Sequence, residues 1–280
     1  MKVKELINYG REVLIENNIE DYSIISKMLA KHILKMTNVE IMINEEKEIS
    51  EEEKNKYDLA LTQIVEGIPV QYITNNQEFM GINFYVNEYV LIPQPDTEIL
   101  VEEVINLCKN YKEKINILDI CTGSGAIGIS ILKNVENVDL VASDISDKTL
   151  EIAKKNAKDN ELIDKIDFIK SDMFENINDK FDIIVSNPPY IETNVISTLS
   201  KQVQNEPHLA LDGGKDGLRF YNILANQAKE YLKPNGYLCM EIGYNQKDKV
   251  EQLLKENGYK NIYCKKDLSG NDRVIIANNI

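Results

Sequence analysis

The sequence predicts an α/β protein: a parallel sheet with crossover helices, preceded by a small helical domain and a β-hairpin linker. Three observations carry this. From Ile115 onward, short apolar runs rich in β-branched residues alternate with stretches at helical spacing, the pattern of βαβ units. Two of those runs end in loops of unusual composition, Cys121-Thr122-Gly123-Ser124-Gly125 and Asn187-Pro188-Pro189-Tyr190. The first 75 residues show helical periodicity instead. The expected division is 1–75 for the helical domain, 76–95 for the linker and 96–280 for the α/β domain.

Composition narrows the function. A chain of 280 residues, 43% hydrophobic and 28% charged, is that of a soluble globular protein. Its formal charge of −14 speaks against nucleic acid as the main partner, because affinity for phosphate backbones comes largely from Lys and Arg. The four cysteines, at 108, 121, 239 and 264, form no C-x-x-C pair, and His32 and His208 are far apart. Neither a metal site nor a disulfide framework is suggested. The first residues, MKVKELINYGREVL, read as a charged amphipathic helix rather than a signal peptide, and no apolar run approaches membrane-spanning length. A reducing cytoplasm is the expected compartment.

In chain order, helices are expected over Lys2–Glu16 and Tyr22–Lys35, from Leu6, Ile7, Val13 and Leu14 and then Ile25, Met28, Leu29 and Ile33. A third begins at Ser50, which forms a capping-box pattern with Glu53, and stops near Gly67 and Pro69. Glu78–Ile92 alternates apolar and polar residues in two runs, read as a hairpin turning at Gly81-Ile82-Asn83 or at Asn87-Glu88. Asp96 or Thr97 is the expected N-cap of a helix over Glu98–Leu107. Strands then follow at Ile115–Ile120, Val138–Ser143, Ile166–Ile169 and Asp182–Ser186, with a helix over Ala126–Leu132 after the first.

The chemistry sits where these strands end. Gly123 and Gly125 let backbone approach a ligand closely, and the helix start behind them adds donors and positive potential. Asp144, at the end of the second strand, is placed to accept both hydroxyls of a ribose. Ser171-Asp172-Met173 follows the third, with Met173 expected against a nucleobase and Asp172 near its exocyclic amine. Each acid alone reads as a solvated loop residue; the series points to an adenosine-containing cofactor. Residues 123–128 also match G-x-G-x-x-G, so a dinucleotide-binding dehydrogenase enters as a rival. Asp119, four residues before Gly123, suits a cofactor with a free amino group, and nothing supplies hydride chemistry.

The fourth strand stops at Asn187, because Pro188 and Pro189 lack the N–H groups that would continue a ladder. Each proline also pushes the residue before it toward extended dihedrals, so the loop is stiff. It presents the Asn187 amide oxygen, the Pro188 carbonyl and the Tyr190 ring: two acceptors and a flat face, a cradle for a planar group bearing NH2. Asn-Pro is also a common turn dipeptide, and an ordinary turn is the bland alternative.

The run PVQYITNNQEFMGINFYVNEYVLIPQPDTE (69–98) resembles the release-factor glutamine-N5 methyltransferases, the HemK or PrmC family. The likeness continues through DICTGSGAIGIS (119–130), SNPPYI (186–191), NEPHLALDGGKDGLRFY (205–221), EIGYNQ (241–246) and DLSGNDRVIIA (267–277). It covers essentially the whole chain; Asn-Pro-Pro-Tyr alone also occurs in adenine-N6 DNA methyltransferases. The resemblance implies a helical substrate-recognition domain, a hairpin linker and a Rossmann-like class I S-adenosylmethionine-dependent methyltransferase domain with a seven-stranded sheet. It also implies methylation of the glutamine in the Gly-Gly-Gln motif of bacterial class-1 peptide release factors during translation termination. Carried over, the cofactor contacts are Cys121, Thr122, Gly123, Ser124, Gly125, Asp144, Met173 and Asn187, to which the reading of the residues themselves adds Asp119 and Asp172. The substrate contacts are Asn187, Pro188, Pro189 and Tyr190, of which Asn187, Pro188 and Tyr190 carry the catalysis.

Three positions depart from the family pattern. Gln94 stands in place of arginine, Cys121 in place of a first glycine, where it needs a φ that tolerates a side chain, and Asn205 in place of an aromatic before Glu206-Pro207 at the lip of the site. Glu206 is expected to have a structural or substrate-gripping role rather than that of a base. The rival functions are a glutamine methyltransferase of a ribosomal protein, an adenine-N6 DNA methyltransferase, which the charge disfavours, and a non-catalytic release-factor binder, which would not need the cofactor motifs.

Overall fold

In the computed structural model, which describes residues 1–280, the chain resolves into two units: Met1–Asn76 with Ser200–Asn205, and Gln77–Leu199 with Glu206–Ile280. The first unit is helical. Helices Val3–Glu16, Tyr22–Leu34 and Glu51–Val65 form where the apolar spacing places them, and Ser50 caps the last in a reciprocal capping box with Glu53. Their apolar stripes meet in one core around Leu6, Leu14, Leu29, Tyr57 and Ile64. Two further helices, Asn38–Ile43 and Val70–Thr74, go beyond the sequence-based expectation. They span six and five residues, too few for a periodic stripe to show, although Thr37 and Glu40 form a capping box that the sequence displays.

The hairpin is shorter than expected. Strands β1 (Gln77–Phe79) and β2 (Ile82–Phe84) pair across a two-residue turn at Met80-Gly81, both with positive φ, as a twisted hairpin requires. The second apolar run, Tyr89–Ile92, forms no strand. Its backbone is satisfied by other means. The Asn156 side chain accepts from Tyr85 N (2.7 Å) and donates to Tyr85 O (3.0 Å), Val90 N donates to Asn87 O, and Ile92 N donates to Glu206 Oε2 at 2.9 Å. The helix that follows runs over Pro95–Cys108, with Gln94 at the N-cap and Pro95 at the first helical position. Thr97, an expected cap, therefore lies inside the helix, with its hydroxyl free for another partner.

The remaining strands are β3 (Ile115–Ile120), β4 (Val138–Asp144), β5 (Ile166–Lys170), β6 (Phe181–Ser186), β7 (Leu232–Glu241), β8 (Lys260–Lys266) and β9 (Asp272–Asn279). They form one seven-stranded sheet in the order β5-β4-β3-β6-β7-β9-β8, parallel except that β9 runs against both β7 and β8. Successive side chains point to opposite faces of a strand. Ile183 and Val185 accordingly enter one core while Ile184 enters the other, and Ile117 and Leu118 divide in the same way. Burial on both faces is why these strands read as unbroken apolar runs.

Candidate active site at the sheet switch point

From β3 the chain steps outward to β4 and β5, then returns to β6 on the other side of β3. At such a switch point the loops diverge and leave a crevice beyond the carboxyl ends of the strands. The ends of β3 and β6 lie side by side there, with Ile120 in register with Ser186 and the Ser186 hydroxyl donating to Ile120 O at 2.7 Å. The two loops singled out in the sequence thus line one cleft, together with Asp144, Met173 and residues of the 88–97 segment.

The glycine loop is held from below and behind. Cys121, Gly123 and Gly125 all have left-handed φ, at 60°, 57° and 81°. Cys121 therefore does not sit at a φ that tolerates a side chain well; it occupies a conformation that favours the glycine found there in the resembling family. Asp119, expected to touch the cofactor, does not line the cleft. It is fully buried beneath the loop, accepting from Thr122 Oγ1 at 2.6 Å and Gly128 N at 3.3 Å, and burial pushes its carboxyl up to about 7 against those two donors. Asn156 completes the support, its Nδ2 donating to Ser124 O at 2.9 Å as well as to Tyr85 O.

Asp144 faces the cleft from the end of β4. Its two oxygens accept from Gly123 N and Ser146 N, each at 3.1 Å, which leaves further lone pairs on both. Burial raises its pKa, opposed by those backbone donors. Asp172 and Met173 also line the cleft; Met173 has a φ of 48°, and its carbonyl accepts from the Ser171 hydroxyl at 2.8 Å.

In the proline loop the structure separates residues that the sequence groups. Asn187 and Pro189 line the cleft, whereas Pro188 and Tyr190 do not. Tyr190 is half-buried and donates its hydroxyl to Glu241 Oε1 at 3.1 Å, so its polar end is an anchor rather than an exposed face. Glu241, at the end of β7, takes the Thr97 hydroxyl on Oε2 at 2.5 Å, and Thr97 Oγ1 in turn accepts from Asn187 Nδ2 at 3.1 Å. Burial pushes Glu241 up to about 7, opposed by the Thr97 hydroxyl and by the charge of Arg273. Glu206 is also buried and displaced up to about 7; with its Oε2 on Ile92 N it pins the 88–97 segment, a structural role. Of the other departures, Gln94 lines the cleft and donates to Ile92 O at 3.0 Å. Asn205 does not line it; its Nδ2 donates to Gly67 O within the helical unit.

Sequence reasoning missed Thr97, Asn156 and Glu241. Glu241 carried a usable signal, an acid at the end of the apolar run of β7, the same pattern that marks Asp144 at the end of β4. Asn156 and Thr97 had none, because a polar residue on a helix reads as solvated until its face is known.

A seven-stranded sheet with one reversed strand near its edge and a cleft built from a glycine loop, a strand-end acid and Asn-Pro-Pro-Tyr defines an α/β methyltransferase. The chain matches the methyltransferase small domain over residues 95–266 and the PrmC N-terminal domain over 5–74. It is 43% identical over 281 residues to the release factor glutamine methyltransferase of Clostridium botulinum, covering 99% of each chain, and 39% identical to that of Clostridium acetobutylicum, covering 99% and 98%. The chain belongs to the release factor glutamine methyltransferase family. Among solved structures it shares its fold with the Thermus thermophilus 16S rRNA N2 G1207 methyltransferase in complex with AdoMet and guanosine. That match has a TM-score of 0.53 and 19% identity, covering 73% of this chain and 50% of that one.

Proposed function

We propose that this enzyme methylates the side-chain amide nitrogen, N5, of the glutamine in the Gly-Gly-Gln motif of peptide chain release factors, using S-adenosylmethionine. The carrying observation is the cleft itself, where a strand-end carboxylate with spare lone pairs, a glycine loop open at Gly123 and a side-chain amide converge. Asp144 fits a ribose diol. At Gly123 an added Cβ would meet nothing nearer than Cys121 O at 4.0 Å, so the loop leaves room for close approach. Ile120, Ile127, Ile145 and Met173 supply an apolar lining for a nucleobase and a thioether. When bound, the cofactor supplies an electrophilic methyl group on a sulfonium.

A primary amide nitrogen is a poor nucleophile because its lone pair is shared with the carbonyl. Asn187 Oδ1, on a residue that lines the cleft, accepts one N–H of the substrate amide, which orients the nitrogen and favours the charge it develops on attack. Asn187 Nδ2 is committed to Thr97, so its oxygen is the group left to accept. The methylated amide is strongly acidic until it loses its proton, so no dedicated base is required. Residues 1–75 are the proposed recognition module; its exposed apolar side chains, Ile24, Val39, Met42, Ile43 and Leu59, supply contact area for a protein substrate. A bacterial cytoplasm is the matching compartment.

The test is direct. Labelled S-adenosylmethionine is incubated with the enzyme and, separately, release factor, ribosomal proteins and DNA. Label is expected on release factor, at the glutamine N5. Label on a ribosomal protein or on DNA alone would replace this reading with the corresponding rival.

A further inference from the structure

We infer that Thr97 and Glu241 are positioning residues that set which way round the Asn187 amide stands, and so present its oxygen to the substrate. The inference rests on the methyl-transfer reading and adds to it the source of the cradle's polarity. An asparagine amide is nearly symmetric in shape, and a half-turn about its terminal bond exchanges an acceptor for a donor at the same place. Asn-Pro-Pro stiffens the backbone but does nothing to prevent that half-turn. With Nδ2 in the cradle, a donor would face the donors of a primary amide.

The hydrogen-bond chain removes the ambiguity. In the ionised form of Glu241, which the Thr97 and Tyr190 hydroxyls and the charge of Arg273 favour, the carboxylate only accepts, so the Thr97 hydroxyl hydrogen lies along its 2.5 Å contact to Glu241 Oε2. The Thr97 oxygen then has lone pairs but no second hydrogen to offer. Its other neighbour, 3.1 Å away, must therefore be the donor end of Asn187, Nδ2. Polarity propagates in one direction: carboxylate, hydroxyl, amide. The second Glu241 oxygen accepts from Tyr190, so one buried side chain anchors both ends of the Asn187–Tyr190 loop. Three elements that share no sequence neighbourhood, the helix Pro95–Cys108, β7 and the loop after β6, are tied together at this point.

The test compares Thr97→Val, which keeps the shape and removes the hydroxyl, with Thr97→Ser, which keeps the hydroxyl. Turnover on release factor is measured alongside cofactor affinity by calorimetry and melting temperature. Thr97→Val should lower kcat by about tenfold or more, the scale of misplacing a reacting group, with cofactor affinity and KM for release factor little changed. Thr97→Ser should restore most of the rate. Glu241→Gln should lower kcat in the parent but add nothing in the Thr97→Val background, where the chain is already broken. A Thr97→Val enzyme at the parent rate, a serine variant no better than valine, or additive losses would each overturn the inference. A separate readout does not use release factor: nuclear Overhauser contacts from the Asn187 Nδ2 protons to Thr97, expected in the parent and absent if the amide stands the other way. A parent enzyme that shows those contacts but labels no release factor would refute the substrate and leave the positioning intact.

Discussion

Replacing Glu206 by glutamine should stabilise the enzyme in a pH-dependent way, and the structure sets both sign and size. Glu206 is buried, and its Oε2 accepts from Ile92 N at 2.9 Å. Burial pushes its carboxyl from 4.5 up to about 7, with the Ile92 N–H opposing. A carboxyl that titrates higher folded than unfolded holds an extra proton in the native state between those two values. Its contribution to stability is complete below the unfolded value and is lost as pH rises through the folded one. Glutamine carries no titrating proton and keeps an oxygen for Ile92 N, so its contribution is flat. The stability difference, Glu206→Gln variant minus parent, should therefore grow in favour of the variant between about pH 4.5 and 7.5, by at most about 3 kcal/mol from the displacement in pKa. Because Asp119 and Glu241 are displaced in the same direction, the slope of the parent alone does not isolate Glu206; the difference does. The chain has no tryptophan, so urea unfolding is best followed by circular dichroism, at pH 5 and pH 8. An equal difference at both pH values, or a variant less stable than the parent at pH 8, would refute the reasoning.

The other expectations concern the cleft and its supports. Asp144→Ala should weaken S-adenosylmethionine binding by about 1.5–3 kcal/mol, the range for bonds to a charged group, and calorimetry showing unchanged affinity would remove Asp144 from the site. Asn187→Ala should slow single-turnover methylation about 10²–10³-fold with little change in cofactor affinity; a wild-type rate would end the cradle mechanism. Asn156→Ala deletes three hydrogen bonds at a buried position and should cost about 2–4 kcal/mol in denaturant titrations, together with a loss of cofactor affinity through the freed Ser124 carbonyl. In Gly128→Ala the new Cβ would lie 2.5 Å from Leu140 Cδ2 and 3.3 Å from Asp119 Oδ2, so a loss of about 1–3 kcal/mol is expected, read as a lower melting temperature.

The sequence by itself determined strands β3 to β6, three helices of the first unit and the positions of the two cleft loops. Strands buried on both faces appear as apolar runs, a loop with two prolines has few conformations, one with two glycines admits left-handed backbone, and an acid at a strand's carboxyl end lies where open α/β sheets bind ligands. All of these are local facts, and Asp144, Met173 and Asn187 follow from them. The sequence also carried the hairpin's first half, but not its end, because nothing near Tyr89–Ile92 says that Asn156 and Glu206 will take over that segment's backbone. Only the tertiary structure decided which side chains line the cleft and which hold the loops. It sent Asp119 under the glycine loop instead of into the cleft and turned Tyr190 onto Glu241. It also placed Cys121 in a left-handed conformation and brought Thr97 across to Asn187 from ninety residues away. A hydrogen bond between residues so distant in the chain depends on the order of strands in the sheet, and that order arises from packing and connection rather than from any short stretch of residues.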